Sequence, residues 1–144
     1  MTSRGTHDDD EHEEHEVMTE QQTSTQETLR DDILGMGLDD YVSMADVLAC
    51  IANGASADAL APYKQLVVDT VRSLLVDGLV VVGDIPGRDD PGFKPWPGSV
   101  DEVMARFIEL FVGRYEDRIE WEYRIWINLT DAGERMATEA RQQQ

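Results

Sequence analysis

The stretch from Pro62 to Ile85 constrains the fold more than any other part of this chain. Its first half carries Tyr63, Leu66, Val67, Val71, Leu74 and Leu75 at helical spacing. Pro62 suits the first turn of that helix, where a backbone N–H has no intrahelical partner to lose. At Gly78 the pattern stops, and Leu79 to Ile85 follows as a nearly unbroken β-branched run, the signature of a buried strand. A helix that feeds a buried strand through a single glycine has to pack against the sheet that the strand joins.

The elements around it follow from the same periodicities. Leu29, Ile33 and Met36 sit at helical spacing until Gly35 and Gly37 interrupt, so order is expected to begin near Leu29. Ser43 with Asp46 three residues on forms a capping signal, and Met44, Val47, Leu48 and Ile51 then mark one helix face that ends at Gly54. Tyr41 and Val42 lead into this helix from an extended segment, and residues 56–61 add a short turn before Pro62. Residues 86–98, rich in proline and glycine, read as a loop. Ser99 with Glu102 repeats the capping signal ahead of Val103, Met104, Phe107, Ile108 and Phe111, a helix expected to end near Gly113 or Tyr115.

From Ile119 the period changes to two. Ile119, Trp121, Tyr123, Ile125, Ile127 and Leu129 are expected on one side of a strand, with Glu120, Glu122, Arg124, Trp126, Asn128 and Thr130 on the other. Thr130 or Asp131 caps a last helix with Ala132, Met136, Ala137 and Ala140 inward. The sum is an α+β domain of three to five helices on a small antiparallel sheet, spanning residues 29–141 behind a disordered acidic tail, residues 1–28.

The segment from Val42 to Ile85, with its "DGLVVVGDI" end, resembles the helix-turn-helix and first wing strand of winged-helix domains. "RIWINLTDAGERMA" resembles their second wing strand and closing helix, where a Leu-Thr-x-x-Gly pattern recurs. The resemblance implies a winged-helix-like fold with a helical insertion, residues 86–118, between the two wing strands. The chain is also similar to a group of small uncharacterised actinobacterial proteins across residues 40–135, through "LLVDGLVVVGD", the Phe93 to Trp96 stretch and "IWINLTDAGE". That likeness carries a fold and no activity.

Charge narrows the function. The net charge is −18. Residues 33–144 alone hold 19 acids against 10 bases, so the folded part repels polyanions unless its bases cluster. A protein partner with a basic or apolar surface is expected, rather than nucleic acid. The longest apolar run, Leu79 to Val82, falls far short of the roughly 20 residues that cross a bilayer, and the N-terminus has charges where a secretory leader has its apolar stretch. Cys50 has no second cysteine to pair with, which suits a reducing cytoplasm.

No catalytic, metal or cofactor set emerges. The run "HDDDEHEEHE" contains metal-ligand types without the i, i+4 histidines of a zincin, and all histidines lie in the tail, far from Cys50 or any serine of the folded part. Cys50 borders an apolar stripe and reads as a small hydrophobe. Asp39 with Asp40, Asp89 with Asp90 and Asp101 with Glu102 read as turn and helix-start residues. Gly83, Gly87, Gly92 and Gly98 lack the Gly-Lys-Ser/Thr ending of a phosphate loop.

The expected function is therefore a non-enzymatic, acidic protein-interaction domain. It would neutralise a basic partner in the manner of an immunity protein or antitoxin, or act as a regulatory adaptor. Phe93, Trp96 and Trp126 are its candidate aromatic anchors, and Asp84, Asp89, Asp90, Glu120 and Glu122 its steering charges. The alternative is a winged-helix DNA-binding transcriptional regulator using Lys64, Arg72 and Arg124.

Overall fold

A computed structural model describes residues 25–52, 57–85 and 92–143. The first helix, α1, spans residues 25–37 and is followed by a short strand, β1 (Val42–Ser43), and by α2 (Met44–Ala52). A single turn, α3 (Ala57–Leu60), leads through a 3-10 turn containing Pro62 into α4 (Lys64–Val76) and β2 (Val80–Asp84). Then come β3 (Lys94–Pro95), α5 (Val100–Phe111), β4 (Trp126–Leu129) and α6 (Asp131–Gln142). The chain is α+β: five helices longer than one turn, among the described residues, pack with a four-stranded antiparallel sheet of order β1-β4-β2-β3 in a winged-helix-like arrangement. β3 and α5 form the insertion between the paired strands β2 and β4.

The capped helices form as their sequences require. The Ser43 N–H donates to Asp46 and the Asp46 N–H to the Ser43 hydroxyl, 3.1 Å each. Ser99 and Glu102 make the same reciprocal pair at the start of α5. Gly78, at φ 72°, ends α4 in the left-handed region that a side chain disfavours, and the Leu79 N–H then closes on the Leu74 carbonyl at 3.0 Å.

β2 and β4 pair from Val80 opposite Leu129 to Gly83 opposite Trp126. The junction beyond this ladder is tied twice. The Thr130 N–H donates to the Leu79 carbonyl at 3.0 Å, and its hydroxyl donates to the Gly78 carbonyl at 2.6 Å. The same hydroxyl accepts the Gly133 N–H at 3.1 Å, capping α6. Gly133 lies so close to the strand that an added Cβ would meet the Leu79 carbonyl oxygen at 2.0 Å.

Several expectations need correction. α1 is already helical at the first described residue, 25, ahead of Leu29, and runs through Gly35; Leu29, Ile33 and Leu34 are buried on it, which outweighs the ~1 kcal/mol helical cost of a glycine. Residues 1–24 lie outside the described residues. Lys94 and Pro95 make an edge strand within the expected loop; a proline can sit at an edge because its missing N–H is not asked for there.

The long strand from Ile119 is mostly absent. Residues 118–124 are a 3-10 turn and turns, and Ile119 is 80% exposed. Trp121 and Ile125, four apart, both point into the core, and Glu120 to Arg124 and Arg118 to Glu122 are ion pairs at the same spacing. These local contacts win over an alternating pattern that has no neighbouring strand to pair with. On α6, Gly133 and Ala137 are buried while Met136 and Ala140 face outward.

Gly133→Ala is expected to destabilise the protein by about 2–3 kcal/mol, because a backbone oxygen cannot move aside as a side chain can. Gly35→Ala, with nothing within 4 Å, should instead stabilise by about 0.5–1 kcal/mol. Urea unfolding of both variants measures the pair.

Candidate interaction site

At the wing end of the sheet the last residue of β2, the first of β4 and the outer side of α5 enclose a groove of about 400 Å³, lined by Asp84, Arg106, Leu110, Tyr123, Arg124 and Trp126. The structure thus brings together three residues singled out in the sequence, Asp84, Arg124 and Trp126. Trp126 is half-buried and its indole N–H donates to the Tyr123 carbonyl at 2.9 Å. Tyr123 is 62% exposed, its ring 6.3 Å from that of Trp126. The two rings make an amphipathic ledge of the kind that interfaces use.

Trp96 does not join them. It is 5% exposed, its backbone N–H extends the pairing of β3 through the Val82 carbonyl at 2.9 Å, and the Arg106 guanidinium covers its ring at 4.2 Å. The side chain is therefore a lid on the core and is not presented as an anchor; its indole N–H has no acceptor among the described residues. Phe93 is half-buried with its ring 5.5 Å from Tyr41, outside the groove.

The acids expected to steer a partner are already engaged. Asp84 pairs with Arg106 at 3.8 Å, Glu120 with Arg124 at 3.0 Å and Arg114 at 3.9 Å, and Glu122 with Arg118. Asp89 and Asp90 lie outside the described residues. The cations of the DNA alternative are likewise held: Lys64 lies over the Tyr115 ring at 4.6 Å, Arg72 reaches Asp101 of α5 at 3.5 Å, and Arg124 meets Glu120. The most exposed positions of α4 are Gln65, Asp69 and Val76, with Gln65 bonded to Asp69 at 2.8 Å, and the Arg72 side chain between them is 41% exposed.

Part of the surplus of negative charge lies away from this groove. The described residues carry 20 acids and 10 bases, and Asp31, Asp32, Asp131, Glu134 and Glu139 on α1 and α6 have no basic partner among them. Between these two helices runs a second groove, about 380 Å³, with Leu34, Met36, Met136 and Ala137 in it and Asp31, Asp32 and Asp39 beside them. Periodicity alone missed it, because it counts Met136 as core without showing whether anything covers it.

Comparison with known proteins returns no matching family model, no matching curated protein and no matching solved structure. The reading of the site rests on its residues. Among the described residues no group of three or more His, Cys, Asp and Glu could hold a metal ion, and no helix is long and apolar enough to cross a membrane.

Cys50 is half-buried on α2, its Sγ 3.8 Å from the Met36 sulfur. Burial pushes the thiol pKa up, and the carboxylates of Asp32 and Asp46 push it further in the same direction. A raised pKa means less thiolate at any given pH, which is the reverse of an activated nucleophile. The rate of Cys50 modification by a disulfide reagent is expected to rise with pH along a curve displaced upward from that of a free thiol, and Asp32→Asn should move the curve back down; stopped-flow absorbance across pH measures both.

Proposed function

We propose that this protein is a non-enzymatic interaction domain that uses a winged-helix-like fold to bind a basic protein, as a neutralising domain of the immunity or antitoxin kind or as a regulatory adaptor. The observation that carries the reading is the fate of α4, the helix that such folds present to DNA. Its two cations lie against the insertion, Lys64 over the Tyr115 ring and the part-exposed Arg72 3.5 Å from Asp101, and beside Arg72 its outward stripe holds Gln65, Asp69 and Val76.

Bond strength is not what decides the point. Exposed ion pairs contribute about 1 kcal/mol or less, and a phosphate could displace one. What a phosphate could not remove is the Asp101 carboxylate left behind a displaced Arg72, nor the excess of 20 acids over 10 bases in the described residues. Phosphate contacts dominate the affinity of DNA-binding modules, and here each would be made against a repulsive background. A polycation meets the opposite field, which speeds its encounter and favours its capture. A reducing, cytoplasmic setting fits the single cysteine.

The test is a pair of titrations of the full chain at low salt, one with an oligolysine and one with a short duplex DNA, each followed by Trp fluorescence and by gel shift. Oligolysine is expected to bind with an affinity that falls as salt rises, and the duplex to leave the protein unshifted. A salt-sensitive shift of the duplex, lost in a Lys64→Ala/Arg72→Ala variant, would establish the DNA-binding regulator instead.

A further inference from the structure

We propose that the groove between α1 and α6 is the docking site for one amphipathic, basic helix of a partner protein. The inference rests on the reading of the chain as a binder of basic proteins and names the surface that does it.

Three observations meet in this groove. Its floor is apolar and incompletely covered: Leu34 and Ala137 are buried beneath it, Met36 is half-buried, and Met136 stands 45% exposed. An amphipathic helix at the end of a domain ordinarily lays its whole apolar stripe on the core. α6 buries Gly133 and Ala137 and leaves Met136 outside, so part of its stripe has no partner among the described residues. Methionine is the apolar side chain best able to reshape itself around varied aliphatic groups, and helix-in-groove sites use it for that purpose.

Charge selects the occupant. Asp31 and Asp32 stand exposed on one side of the groove with no basic partner among the described residues. Asp39 shares its charge with Arg141, 3.5 Å away, whose guanidinium also donates to the Gly35 carbonyl at 3.1 Å. That bridge joins α1 to α6 at one end and holds the groove at a fixed width. An apolar floor with an acidic side fits a helix that carries Leu-like residues at i, i+3 and i+4 and Lys or Arg beside them. A second copy of this chain fits poorly, since it would set Asp31 and Asp32 against an acidic surface like their own.

The experiment uses the full chain with its methionine methyl groups carbon-13 labelled, resonances being assigned with Met36→Leu and Met136→Leu. The probes are a synthetic leucine-lysine peptide of amphipathic helical pattern, a scrambled peptide of the same composition, and an oligolysine. The amphipathic peptide is expected to move the Met36 and Met136 methyls and to leave those of the buried Met44 and Met104 in place. Reversing both exposed charges, Asp31→Lys with Asp32→Lys, should weaken it about tenfold, and Met136→Glu should bring it down to the affinity of the scrambled peptide.

Oligolysine binding with unmoved Met36 and Met136 methyls, and equal affinities for the two peptides, would overturn the groove and leave the broader reading intact. Binding by none of the three would overturn that reading and the groove with it. Methyl shifts that follow protein concentration without peptide, together with a dimer in sedimentation, would assign the groove to a second copy and overturn the proposal.

Discussion

The tie between the end of α4 and the start of α6 organises the rest of the molecule. Gly78 turns the chain out of the helix, and its carbonyl and that of Leu79 then accept both hydrogen bonds that Thr130 donates. With Thr130 fixed there, β4 has only one register on β2, and α6 starts at a fixed point against the strand. Gly133 completes the junction by contributing no side chain where the Leu79 carbonyl passes. A backbone junction of this kind tolerates little change, because every group in it is already satisfied at short range.

Between the two strands that this junction aligns, the chain makes a long excursion that packs back on α4. Phe107, Phe111, Tyr115 and Trp121 form an aromatic end of the core, with Trp121 edge-on to Phe111 at 5.0 Å and donating its N–H to the Tyr115 carbonyl at 3.1 Å. α5 packs against α4, and its Asp101 and the Tyr115 ring take up Arg72 and Lys64. Arg114, Arg118 and Arg124 pair with acids of the same stretch, Glu109, Glu120 and Glu122. Carboxylates without an ion pair among the described residues remain on α1 and α6, as they do at Asp58, Asp69, Glu116 and Asp117.

The helices were legible where local chemistry alone decides them. Ser43 with Asp46 and Ser99 with Glu102 close in space as their spacing in the chain requires, since a capping pair needs nothing beyond its own four residues. Three features were not legible, each for want of a neighbour. Residues 119–125 alternate like a strand, but among the described residues no strand pairs with them, and the buried Trp121 bends them into turns. Lys94 and Pro95 look like loop until β2 offers them an edge. Asp84 of β2 looks like a free charge until Arg106 of α5 reaches it.

The sequence by itself determined the acidic balance, the capped helices and the β-branched strand after Gly78, because composition and short-range spacing suffice for each. Only the tertiary structure decided that Trp96 is a lid, that the cations of α4 are occupied, and that Met136 is exposed beside unpaired acids. Those outcomes depend on which surfaces meet, and burial and charge pairing between residues distant in the chain are properties of that meeting.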